Sequence, residues 1–107
     1  VSIPDAAHVG SPTCRRVDRA LALLGRSRCG AVAAAALDGA TRYRDFFEAV
    51  PGISHAVLAA RLRELVSLGL LEHRDGTYRC TAETHALAPT FTALEELVSL
   101  HPHLFDA

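Results

Sequence analysis

One stretch limits what this chain can fold into more than any other: residues 51–74, PGISHAVLAARLRELVSLGLLEHR. Pro51-Gly52 breaks the chain, and the Ser54 side chain can cap the helix that follows. Val57, Leu58, Leu62, Leu65 and Leu68 recur at helical spacing and form one apolar face. Arg61, Arg63, Glu64 and the small residues Ala56, Ala59 and Ala60 lie elsewhere on the same helix. Gly69, just past the last periodic residue, fits the left-handed position that stops helices.

The neighbours of this stretch give it a context. Thr41 is a good N-cap for a helix reaching Val50, with Tyr43, Phe46, Phe47 and Val50 as its apolar set. Ile53 is placed to plug the space between the two helices. Residues 41–69 therefore read as helix, short turn, helix. Residues 70–74 and 77–81 are short extended runs joined by Asp75-Gly76, a strong two-residue hairpin signal. A helix-turn-helix followed at once by a hairpin is the layout of a winged helix-turn-helix, which sets one helix in the DNA major groove. The hairpin, residues 70–81, is the wing.

The remaining segments read as scaffold. Residues 1–13 contain two Pro, one Gly and two Ser without periodicity, which predicts a flexible arm. Cys14 stands just ahead of a first helix whose apolar positions are Val17, Ala20, Leu21 and Leu24, with Gly25 as its stop. Residues 29–37 form an alanine-rich second helix, apolar on most sides and so expected to be buried, ending at Asp38-Gly39. From Ala82 to Leu100 a last helix carries Leu87, Phe91, Leu94 and Val98 on one stripe, with Leu97 and Leu100 beside it. Pro89 falls in its first turns, where a missing N–H is tolerated. The stripe has nothing downstream to cover, so it is expected to pack against the first helix, its own or that of a twin, and to serve dimerisation. Residues 14–100 make one mainly α domain with a small β-hairpin wing, and residues 101–107 are a tail.

Composition excludes several classes. Of the 107 residues 50% are apolar but only 6% aromatic, so alanine and leucine carry the core, which suits thin, closely packed helices. No apolar run approaches the ~18 residues that span a bilayer, and the beginning lacks a signal-peptide pattern; the expected location is the cytoplasm. Net charge is −1, but its distribution is uneven. All eleven basic residues are arginines between Arg15 and Arg79, against seven acids in that window, a local +4; from Cys80 onward four acids and no arginine give −4. A polyanion-facing half and a partner-facing half account for this asymmetry. Cys14, Cys29 and Cys80 and the six dispersed histidines show no metal-ligand spacing, and no cofactor motif is present. No phosphate loop, catalytic triad order or paired-carboxylate spacing supports an enzyme.

The order CRRVDRALALLG, LDGATRYRDF, PGISHAVLAARLRELVSLGLLEHR, YRCTAETHALAPTFTALEEL resembles the HxlR-type winged helix-turn-helix regulators of bacteria, over roughly Cys14 to Val98. Its most specific part is Gly52-Ile53-Ser54, Leu58, Arg61-Leu62-Arg63-Glu64-Leu65, Gly69-Leu70 and Arg74. The resemblance implies a homodimer paired through its N- and C-terminal helices on a pseudo-palindromic operator of double-stranded DNA. It also implies a small-molecule or oxidant effector and a sensor cysteine ahead of the first helix, the place of Cys14. Departures accompany it. The family's Gly-Lys-Trp triplet is here Arg26, Ser27 and Arg28, putting Arg at an expected core aromatic. Ala56, Ala59 and Ala60 replace polar or basic positions, the wing is cut to Asp75-Gly76, and a Leu-Thr-x-x-Gly opening has become Cys80 to Thr84.

Candidate DNA contacts are Arg42, Arg44, Ser54, His55, Arg61, Arg63, Arg74 and Arg79, with Ala56, Ala59 and Ala60 able to approach thymine methyls. Arg61 and Arg63, two apart on a helix, cannot share a face; one reaches DNA while the other pairs with an acid such as Glu64 or Glu48. Cys14, at a helix N-terminus beside Arg15 and Arg16, is the sensor candidate, whereas Cys29 and Cys80 read as packing. The alternative is a diverged winged-helix module with weak or lost DNA binding. It would take a protein partner, or a small molecule in an apolar pocket between the second helix and the last.

Overall fold

A computed structural model of the chain describes residues 11–105. Six helices and one hairpin follow in order: α1 (Pro12–Leu24), α2 (Cys29–Leu37), α3 (Tyr43–Ala49), α4 (His55–Ser67), β1 (Leu71–Arg74), β2 (Thr77–Cys80), α5 (Ala82–His85) and α6 (Ala88–Leu100). A 3₁₀ turn over Pro102–Phe105 closes the described chain.

The first helix begins earlier than expected. Ser11 caps it, its Oγ accepting the Cys14 N–H at 3.2 Å, and Pro12 occupies a first-turn position where a missing N–H costs nothing. Cys14 therefore lies inside the first turn, not ahead of the helix. Of the expected arm, residues 1–10 lie outside the described residues, as do 106–107 of the tail.

Helix α2 is the hub. Its small residues Ala33, Ala35 and Ala36, with Cys29 and Val32, are all buried, and α1, α3, α4, α5 and β2 each pack against it. Only short side chains let so many elements approach one helix. Phe46, Val50, Ile53, Leu58, Leu62, Leu65 and Leu71 complete the core. Phe46 meets Tyr78 edge-to-face, with ring centroids 5.8 Å apart, and this joins the helix-turn-helix to the hairpin.

Local chemistry fixes the ends of the central elements. Helix α4 starts at Ser54, whose Oγ accepts from the Val57 N–H at 3.1 Å. It stops at Gly69, left-handed at φ 76°, with Leu70 N–H bonded to Leu65 C=O and Gly69 N–H to Val66 C=O. Leu68 departs from its expected place on the buried face and is 51% exposed, since it lies about 90° round the helix from the centre of that face. The hairpin pairs Leu71 with Cys80 and Arg74 with Thr77, and its turn residues Asp75 (φ 54°) and Gly76 (φ 76°) are both left-handed, as a type I′ turn demands.

Helix α3 differs at its start. Arg42, not Thr41, is the cap residue, and the Asp45 carboxylate accepts the N–H groups of Arg42 (2.9 Å) and Thr41 (3.1 Å). Those two bonds, Arg42 first, hold the Asp45 carboxyl below its usual range. Thr41 contributes its carbonyl instead, which accepts from Tyr78 N–H at 2.7 Å and ties the hairpin to the helix start.

The expected single helix over 82–100 is broken in two. Thr84 accounts for the short first piece: it is 1% exposed, and its hydroxyl donates to the Leu70 carbonyl. Thr81 likewise donates to the Gly69 carbonyl at 2.8 Å. The two threonines bind the chain leaving the wing to the end of α4, and Pro89 then falls at the start of α6, not inside a longer helix.

Candidate nucleic-acid interface

The two faces of α4 have different chemistry. Leu58, Leu62 and Leu65 are buried against α2 and the hairpin. At 100° per residue, Ala59, Arg63, Ala56 and Ala60 fall on the far side within an arc of about 100°, Arg63 near its middle. Ala56 and Arg63 are exposed, and Ala59 and Ala60 half-buried. The outer face is thus a smooth alanine floor with one arginine rising from it and His55 at its N-terminal end.

The two arginines have separate surroundings. Arg61 is only 17% exposed and is turned toward Glu64, Nη1 standing 3.7 Å from Oε1. Its Nε and Nη1 are buried and have no hydrogen-bond partner among the described residues. Glu64 also accepts from Arg26 Nη1 at 2.9 Å. Arg61 belongs to this inward cluster rather than to the outer surface, and Arg63 is the arginine of the exposed face. Charge and burial meet again at Cys29: burial first, and the nearby Glu64 carboxylate next, push its thiol up. Burial also raises the Cys80 thiol. Both favour the neutral, unreactive form, while Cys14 is exposed.

The remaining candidates surround α4. Arg42 and Arg44 are exposed at the start of α3. Arg74 and Arg79 are exposed on the hairpin face that also carries Glu72 and Thr77, opposite the face of Leu71, His73 and Tyr78, where Leu71 is buried, Tyr78 half-buried and His73 exposed. Among the described residues none of Arg42, Arg44, Arg63, Arg74 and Arg79 makes an ion pair. The Ser54 oxygen is committed to its cap.

His55 is held more firmly than its exposure suggests. Its ring stacks on Phe47, with centroids 4.1 Å apart and planes 1° apart, and lies against Tyr43 on α3. The Tyr43 hydroxyl is 3.0 Å from Nδ1 and donates to the His55 carbonyl at 3.2 Å. Apolar periodicity alone does not reveal this role of Tyr43 and Phe47; the signal in the sequence is an aromatic pair four residues apart with a histidine opening the next helix. The Arg26–Ser27–Arg28 triplet also contacts this region. Arg28, left-handed at φ 68° and exposed rather than in the core, donates Nη2 to the Pro51 carbonyl at 2.7 Å. Together with the Arg26–Glu64 bond it ties the α1–α2 junction to both ends of the turn-plus-helix unit.

Helices α1 and α6, thirteen residues each, bury no side chain fully. Val17 and Leu21 are 51% and 57% exposed, and Leu94, Leu97 and Val98 between 43% and 46%. No single helix among the described residues is long and apolar enough to cross a membrane. Between α2 and α6 lies a recess of about 110 Å³, lined by Ala34, Leu37 and Phe91 among others. Small-molecule sites run to roughly 300–1,000 Å³, so within one chain this recess is too small for that role.

Three comparisons bear on this geometry. The HxlR-like helix-turn-helix family matches residues 23–103. The HTH-type transcriptional regulator YodB of Bacillus subtilis is 32% identical over 66 residues, covering 62% of this chain and 59% of that protein's length. The crystal structure of quinone-bound YodB superposes with a TM-score of 0.73 at 29% identity, over 81% of this chain and 99% of that one. Its reduced form gives 0.68 at 27% identity, over 79% and 90%.

Proposed function

The chain belongs to the HxlR-like helix-turn-helix family, and from that premise we propose that it is a transcription regulator that binds duplex DNA as a homodimer. Helix α4 enters the major groove, Arg63 reads a base, and Arg42, Arg44, Arg74 and Arg79 contact phosphates. The observation that carries this reading is the outer face of α4: small enough to approach base edges, and marked by one arginine without an ion-pair partner among the described residues. Alanines there can meet thymine methyls, while Arg63 can donate two hydrogen bonds to guanine O6 and N7.

Dimerisation rests on α1 and α6. Their exposed apolar stripes are what a twofold partner would cover, and a twofold dimer pairs with a pseudo-palindromic operator. Cys14 is the proposed sensor. It is exposed in the first turn of α1, next to that surface, so a bond from its sulfur to an electrophile would alter how two copies meet. The quinone-bound and reduced forms of YodB support an effector of this chemical class. The rival small-molecule module finds little support in a 110 Å³ recess.

A pair of substitutions tests the division of labour between the two arginines. Arg63→Ala should weaken operator binding by ~1–3 kcal/mol with the melting temperature unchanged. Arg61→Ala should instead lower stability, because it strips Glu64 of a buried partner. Equal losses of DNA binding, or none from Arg63→Ala, would move the base-reading role away from this face. Fluorescence anisotropy and thermal melts on the same samples provide both readouts.

A further inference from the structure

The contacts around His55 determine which of its ring nitrogens carries the proton, and from this we infer that His55 reads an exocyclic amino group, cytosine N4 or adenine N6, at one position of each half-site. This rests on the DNA-binding reading above. The Tyr43 hydroxyl has one hydrogen and two short contacts, to the His55 carbonyl oxygen at 3.2 Å and to Nδ1 at 3.0 Å. A carbonyl can only accept, so the hydrogen points there. Nδ1 must then donate its own N–H to the hydroxyl oxygen. The opposite assignment would leave two oxygens facing each other with no hydrogen between them. In the neutral ring Nε2 is therefore a bare acceptor, and it has no partner among the described residues.

The ring is also fixed in direction. Phe47 lies flat against it, with planes 1° apart, and Tyr43 holds the edge opposite Nε2. His55 is the first residue of α4, and N-terminal residues of a recognition helix are those that meet base edges. In the major groove only cytosine N4 and adenine N6 offer donors, whereas guanine N7 and O6 and thymine O4 would set acceptor against acceptor. Tyr43 is on this account a positioning residue: it touches no base but sets the hydrogen-bond character of the atom that does. The alanines that follow on α4 supply no competing polar readout.

Two measurements test this. Long-range proton–nitrogen correlation spectra of the free protein at alkaline pH, where imidazoles are neutral, should show His55 protonated at Nδ1, and Tyr43→Phe should shift it toward Nε2. Finding Nε2–H in the wild type would overturn the inference without any DNA present. Selection from a randomised duplex library should then return one position per half-site favouring cytosine or adenine by about tenfold. Tyr43→Phe should reduce that preference to about twofold or less, with affinity for random duplex unchanged. His55→Gln, which offers both an acceptor and a donor, should narrow it to adenine. Specific binding that both variants leave with the same base preference would refute the role of His55 alone. No binding to any duplex at low salt would refute the DNA-binding reading itself, and this inference with it.

Discussion

Replacing Leu94 with Asp is expected to yield a folded monomer that no longer holds an operator. Leu94 is 45% exposed in the single chain and lies on a helix with no fully buried residue, so the change costs the isolated fold little. In a twofold dimer sealed by α1 and α6 the effect is different. Symmetry doubles the substitution, and each carboxylate entering an apolar seam without a partner costs several kcal/mol. Loss of the dimer also removes the second half-site contact, which is worth roughly 10²–10⁴ in apparent affinity. Sedimentation equilibrium and operator titration should move together. A dimer that survives the substitution would mean that this stripe is not the seam.

If Cys14 is the sensor proposed above, Cys14→Ser should abolish any release of DNA on treatment with a quinone or oxidant while leaving the DNA affinity of untreated protein as it was. Cys14 is exposed, so the stability change should stay within ~0.5 kcal/mol. The chemistry asked of it is simple. Its sulfur would add to an electron-poor ring carbon of a quinone, forming a carbon–sulfur bond; the thiol proton goes to one quinone oxygen and the replaced ring hydrogen to the other, leaving a hydroquinone thioether. Cys29 is 0% exposed and Cys80 partly buried, and burial holds both thiols protonated, so neither should replace it. Release of operator DNA on treatment, followed in wild type and Cys14→Ser side by side, separates these thiols. A variant that still responds would transfer the role to Cys80.

How far the chain could be read in advance depended on the range of the interactions involved. Ser54, Gly69 and Asp75-Gly76 act through bonds to residues a few positions away, so the start and stop of α4 and the type I′ turn follow from local chemistry. The buried face of α4 followed from periodicity, except at Leu68, where the helix ends before the stripe comes round again. What could not be read is tertiary. That Asp45 and not Thr41 fastens the start of α3 depends on Thr41 giving its carbonyl to the hairpin. The break between α5 and α6 depends on the Thr84 hydroxyl reaching the Leu70 carbonyl fourteen residues back. At the site, spacing showed that Arg61 and Arg63 must part but not which turns inward. That was settled by Glu64, which Arg26 approaches from the α1–α2 junction. The anchoring of His55 by Tyr43 and Phe47 joins two helices across the turn, and an apolar pattern gives no sign of it.

If the arginine-bearing side of this fold meets the DNA backbone, as proposed, duplex binding must weaken steeply as salt rises. Four arginines per subunit, Arg42, Arg44, Arg74 and Arg79, are assigned to phosphates. If the dimer engages six or more phosphates, affinity should fall about 10³-fold or further between ~50 and ~200 mM salt, linearly on a double-logarithmic plot. A flat line, or no binding to random duplex at the lowest salt, would mean that these arginines do not face DNA phosphates.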